Sequence, residues 1–157
     1  MEPVIQLFIL LFGFILGFIL YELTRYRIGG IVAIPIMVIY IIENPVLLPI
    51  FFLSIGLCLA GVQLIAERTL LYGRRLLYLN LAVSIICTSI MIFSIGSYFN
   101  IDLTTLTVGT IFPGLVAFNI SRETFDVQNA LKSGGMMIGN FLIVLAFGLV
   151  LIRIAGG

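Results

Sequence analysis

The sequence predicts an all-α, polytopic membrane protein with six transmembrane segments arranged as two inverted three-helix repeats. Three observations predict it. The chain is 62% hydrophobic and only 10% charged, with a mean hydropathy of +1.29. A soluble domain is about half apolar and about a quarter charged. Four apolar runs reach the roughly 20 residues that a helix needs to cross a bilayer. Two shorter apolar runs carry an internal proline, Pro35 and Pro113. Polar intervals stay below about 15 residues, so 1–157 reads as one membrane domain with repeat halves of about 1–75 and 76–157.

Pro3–Tyr21 is the first crossing. Met1–Glu2 provides no basic n-region, so the run reads as a retained helix and not a signal peptide. Gly13 and Gly17 form a GxxxG pair suited to close helix contact. Glu22–Gly30 is a polar loop with Arg25 and Arg27. Ile31–Ile42 rises only about 18 Å against a hydrocarbon core of about 30 Å. It is therefore a short, proline-broken crossing or a re-entrant piece. Glu43-Asn44-Pro45 is a turn. Val46–Ala66 is a full crossing with Pro49 in its first turn, where proline is tolerated.

Glu67–Arg75 is a second basic loop, Leu76–Phe99 a further crossing and Asn100–Thr105 a short polar turn. Val108–Arg122 follows, with Pro113-Gly114 at its middle. Proline has no N–H, so Pro113 leaves the carbonyl of Gly109 without its helical donor. A freed carbonyl in hydrocarbon costs several kcal/mol, so this segment should face other helices or a wet cavity. Arg122–Lys132 is the longest polar interval. Ser133–Ile154 is the last crossing, with a second GxxxG at Gly135 and Gly139.

A shift of 78 residues carries Pro35 onto Pro113, Arg75 onto Arg153, and Val46–Ala66 onto Thr124–Val144. Each half thus holds a long crossing, a short proline-bearing one and another long crossing. Three crossings per half invert the second half, and paired interrupted segments mark the substrate path in many such folds. With six crossings, Arg25, Arg27, Arg68, Arg74, Arg75, Arg122 and Lys132 share one side, against Arg153 on the other. The positive-inside rule makes the first side cytoplasmic and puts both termini outside the cell membrane.

Histidine is absent, which removes the commonest general base and metal ligand. Cys58 and Cys87 fall mid-crossing and read as small buried hydrophobes. No GxxxxGK[ST] phosphate loop exists. No catalytic residue, metal, cofactor or nucleic-acid partner is expected. The basic side suits an acidic partner or polyanion, because arginine keeps its charge and its fork matches carboxylates. The same arginines would equally serve topology and lipid headgroups. Asn119, with Thr104, Thr105, Thr107 and Thr110, would line a path, although such threonines also bond neighbouring helices.

Leu71-Tyr72-Gly73-Arg74-Arg75, followed by Gly109-x-x-x-Pro113-Gly114-Leu115-x-Ala117 ahead of Arg122, resembles the poly-γ-glutamate capsule biosynthesis membrane proteins, the CapC/PgsC family. In the first half Pro35 is followed by Ile36 where the family pattern has Pro-Gly. The resemblance implies a non-catalytic membrane subunit working with a cytosolic ATP-dependent amide ligase and other envelope proteins. That machine makes and exports a γ-linked glutamate polymer. The positions carried over as polymer- or partner-binding are Tyr72, Gly73, Arg74, Arg75 and Arg122, joined from the residue reading by Asn119. Pro35, Gly109, Pro113 and Gly114 are the broken-helix set. Six short crossings enclose little volume, so a polymer conduit calls for a homo-oligomer. The alternative is an autonomous small secondary transporter or channel; a purely structural scaffold is a third reading.

Overall fold

The computed structural model describes residues 2–25, 30–66, 73–99, 109–121 and 127–155. Among them are six helices: α1 (Pro3–Thr24), α2 (Ala33–Glu43), α3 (Leu47–Ala66), α4 (Arg74–Phe99), α5 (Phe112–Ser121) and α6 (Val127–Ala155). Four are long and apolar enough to cross a membrane: Pro3–Thr24, Leu47–Ile65, Arg74–Ser94 and Lys132–Ala155. Six helices stand where six apolar segments were expected, and two boundaries shift by several residues. α5 begins only at Phe112, within the segment expected over Val108–Arg122, and α6 begins already at Val127, inside the interval expected to be polar loop. Gln128, Ala130, Leu131 and Lys132 are good helix formers, and hydropathy marks only the part of a helix that lies in hydrocarbon.

The short helices are the inside of the molecule. Seven of the eleven α2 residues are buried, and six of the ten in α5. In the long helices only 17–33% of the membrane-suited window is buried, which leaves the rest for lipid. The helices pack as two trios, α1–α2–α6 and α3–α4–α5, joined mainly through α2–α5, with smaller contacts of α5 on α6 and α2 on α3. Each short helix also packs on the last long helix of the opposite half: α2 mainly on α6, and α5 on α3 as well as on α4.

Lipid tails are as apolar as leucine, so close van der Waals fit and hydrogen bonds drive this association. Glycines supply the fit. A Cβ on Gly13 would lie 2.6 Å from the Pro35 Cβ, and one on Gly17 would lie 3.1 Å from Ile31. Gly148 is pressed in the same way against Ile42 and Ile9. Phe12 of α1 stacks on Phe147 of α6 with ring centroids 3.9 Å apart. The first GxxxG pair thus docks α1 onto α2. A Cβ on either glycine of the second pair, Gly135 or Gly139, would meet no neighbour within 4 Å among the described residues.

Neither proline kinks a continuous helix. Pro35 is the third residue of α2 and Pro113 the second of α5, within the first turn, where the missing N–H has no intrahelical partner to lose. Ahead of Pro113 the chain is helical at Gly109, turns at Thr110–Ile111 and restarts at Phe112. Pro49 stands in the first turn of α3 as expected, after an Asn44 turn in which the Val46 N–H donates to Asn44 Oδ1 at 3.2 Å.

Candidate functional site

The site grows from α5 and what it touches. Gly114 lets α5 reach the α4 backbone. A Cβ there would lie 2.7 Å from Ser84 Cβ and 2.8 Å from the Asn80 carbonyl oxygen. The Ser84 hydroxyl donates to the Thr110 carbonyl at 2.6 Å. A neighbouring helix thus supplies a donor at the interrupted turn, where hydrocarbon offers none. On the other side of α4, the Cys58 thiol donates to the Asn80 carbonyl at 3.1 Å and the Ser54 hydroxyl meets the Met91 sulfur at 3.5 Å. Cys58 and Cys87 are free thiols.

Asn80, Ser84 and Thr88 are all fully buried. They stand four residues apart, so they form one polar stripe inside the α3–α4–α5 trio. Asn80 Nδ2 donates back to the Leu76 carbonyl at 2.8 Å. Asn80 Oδ1 and Thr88 Oγ1 have no hydrogen-bond partner among the described residues, and neither has either end of the Asn140 amide. Asn140 is 1% exposed. The sequence reading passed over these residues. The spacing of Asn80, Ser84 and Thr88 within an apolar crossing was the signal that would have found them.

Asn119 lies on the wall of a cavity of about 420 Å³ between Tyr21, the Gly30–Ala33 approach to α2, and Leu115. Its Nδ2 donates to the Leu115 carbonyl at 2.9 Å. Gly30, at φ +102°, passes so close that a Cβ would be 3.0 Å from Asn119 Nδ2. Apart from Tyr21 and Asn119, the described lining carries no polar side chain.

Arg74 and Arg75 are the first two residues of α4 and are exposed. Gly73 precedes them at φ +60°, a left-handed conformation natural to glycine, and its carbonyl accepts the Leu77 N–H at 3.3 Å. A cation at a helix N-terminus opposes the macrodipole, so helix stability does not explain these arginines. Tyr72 and Arg122 fall outside the described residues, as do Arg27, Arg68, Thr104, Thr105 and Thr107.

Contacts between helices fix which of their ends lie together. Gly13 faces Val144 and Ile9 faces Gly148, so α1 and α6 are antiparallel and Arg25 lies at the Lys132 end of α6. Gly30 meets Asn119, which brings the start of α2 to the end of α5. Gly114 meets Asn80 and Thr110 meets Ser84, so the end of α5 points to the start of α4. Arg25, Asn119, Arg74, Arg75 and Lys132 therefore share one end of the bundle. Glu43 takes the opposite end, where its Oε1 accepts Gln6 Nε2 at 2.9 Å, and Arg153 lies toward that end of α6.

The family model for Capsule biosynthesis CapC matches residues 12–128. The chain belongs to this family. No curated protein and no solved structure matched it. As a CapC-family chain with four long apolar helices, it is a membrane protein of capsule biosynthesis. The CapC match runs from Phe12 in α1 through α5 and stops at Gln128, just inside α6. It takes in both motifs, Leu71–Arg75 and Gly109–Ala117, while most of α6, which packs on α1 and α2, lies beyond it.

Proposed function

We propose that this CapC-family chain is the membrane subunit of a poly-γ-glutamate capsule synthesis and export complex. It docks a cytosolic ATP-dependent amide ligase on its basic end and hands on the anionic polymer, without catalysing ligation itself. The observation that carries the reading is the gathering of Arg25, Arg74, Arg75 and Lys132 at one end of the bundle. Arg74 and Arg75 add their charge to the positive pole of α4, which makes a cationic surface for carboxylates. Tyr72, Gly73 and Arg122 join that surface by motif. Asn119 opens onto the cavity at the same end. By the positive-inside rule this end is cytoplasmic, in the cell membrane, and both termini are outside.

The inverted-repeat reading draws support from the packing. α1 packs on α2 as α4 packs on α5; α2 packs on α6 as α5 packs on α3; α1 packs on α6 as α4 packs on α3. Exchanging the two halves leaves that set of pairings unchanged, as a pseudo-two-fold axis requires. The conduit is a homo-oligomer, because two short helices in contact enclose too little space for a polymer.

The test is affinity purification of the full-length chain from its native membrane, with ATP-dependent glutamate ligation assayed in the eluate. Ligase activity should co-purify at low salt and fall in the Arg74→Ala, Arg75→Ala double variant while membrane insertion persists. Ligase retention unchanged by the double variant, or polymer transport by the chain alone in liposomes, would remove the docking role.

A further inference from the structure

The cavity beside Asn119 shares a wall with a second hollow. Val32, 54% exposed, lines it and also lines a second hollow of about 470 Å³ between α1 and α2. That second hollow runs past the α1 side chains from Leu7 to Phe14 and the α2 residues Pro35 and Ile36, and every residue lining it is apolar. Along α1 the order is thus an apolar slot from Leu7 to Phe14, then the Tyr21 phenol with the Asn119 amide, then Arg25. Arg25 is exposed one turn beyond Tyr21, with its N–H on the Tyr21 carbonyl at 2.7 Å. Leu7 to Tyr21 covers about 21 Å of helix axis, enough for an acyl chain of one leaflet, about half of a 30 Å core.

We propose that this α1–α2 groove binds an anionic phospholipid of the surrounding membrane, with one acyl chain in the Leu7–Phe14 slot and its phosphate at Tyr21, Asn119 and Arg25. The Val32 wall that the two hollows share and the order of apolar, polar and cationic groups along α1 select this occupant. A polyanion matches neither the slot nor the largely apolar wall beside Asn119. A partner helix would cover the slot and leave the polar end without a complement. A phospholipid matches both, tail against hydrocarbon side chains and phosphate against a hydroxyl, an amide and a guanidinium. The bound lipid fills a hollow that Pro35 lines, and so ties the docking of α1 on α2 to the composition of the membrane.

The chain has no tryptophan, so Leu11→Trp, at a position 55% exposed on the slot's edge, gives a single tryptophan that can be excited selectively over tyrosine. The full-length variant is reconstituted in bilayers of phosphatidylcholine and phosphatidylglycerol, with one or the other lipid brominated on its chains. Quenching should favour phosphatidylglycerol about fivefold, the effect of one basic residue near an anionic headgroup. Arg25→Gln combined with Tyr21→Phe should bring the ratio to about one, and Ile90→Trp, on the exposed face of α4, should show no preference. If Leu11→Trp fails to insert, Leu7→Trp in the same slot serves. Equal quenching by both lipids, an equal preference at Ile90→Trp, or a preference untouched by the Arg25 and Tyr21 changes would overturn the proposal. No readout involves ligase or polymer, so failure here leaves the docking reading intact.

Discussion

Gly114→Ala tests how α5 is held. The added methyl would sit 2.7 Å from Ser84 Cβ, 2.8 Å from the Asn80 carbonyl and 3.1 Å from Leu81 Cα. Two of these neighbours are α4 backbone and cannot turn aside. Overpacking of this kind costs about 1–3 kcal/mol. Pushing α5 outward also stretches the 2.6 Å bond from Ser84 to the Thr110 carbonyl, worth about 0.6 kcal/mol on the membrane-protein average. Alanine returns about 1 kcal/mol over glycine in a helix. The net loss is about 0.5–2.5 kcal/mol. Gly139→Ala is the control. Nothing lies within 4 Å of Gly139, so only the propensity gain of about 1 kcal/mol remains. The assay is titration of the full-length chain in mixed micelles with SDS, following helicity by circular dichroism. Equal stability of Gly114→Ala and the parent, or an equal loss in Gly139→Ala, would refute the close approach of α5 to α4.

The same titration checks four further expectations. Ser84→Ala should destabilise by about 0.6–1.7 kcal/mol through the lost donor. Thr88→Val, which removes a buried hydroxyl without a partner among the described residues, should stabilise by about 1 kcal/mol. Asn140→Leu should stabilise by about 1–3 kcal/mol, since its buried amide has no partner among the described residues and an apolar side chain removes the desolvation penalty; a loss of similar size would show that the amide is engaged. Gly73→Ala meets no atom within 4 Å, so its cost should be the conformational one alone, about 1–2 kcal/mol for a left-handed alanine.

Length and hydropathy made the long helices legible, because the bilayer imposes both. The short pair was legible from Pro35 and Pro113, but the prolines were read as breaks in mid-segment, and the structure sets each within a first turn. Proline cannot receive a donor role inside a helix, so the chain places the interruption upstream, at Thr110–Ile111 in the second half. The GxxxG pairs looked alike in sequence. Only Gly13 and Gly17 meet a neighbour within the chain, because what lies opposite a glycine is set by tertiary fit: here the Pro35 ring and Ile31. The crossed packing, with α2 on α6 and α5 on α3, left no local trace at all. Of the residues expected to bind polymer or partner, Arg74 and Arg75 were readable as charge, and the structure adds that they stand where the α4 dipole opposes them. The α4 stripe was overlooked because a crossing was read for its mean hydropathy, and three polar residues in a row of turns barely lower a mean.

The length of α2 and α5 decides where they can sit. At 1.5 Å per residue they are about 17 and 15 Å long, roughly half of a 30 Å hydrocarbon core. A helix of that length left facing lipid would strand its terminal N–H and C=O groups in hydrocarbon. Burying both among four long helices removes the lipid but leaves the same terminal groups to be met by protein or water. Ser84 meets one of them, at Thr110. At the other end of α5, a cavity opens beside Asn119 and the start of α2. The protein thus meets one terminus of α5 with a hydroxyl donor and leaves the other beside a cavity roomy enough for water, so neither short helix needs lipid to satisfy its ends.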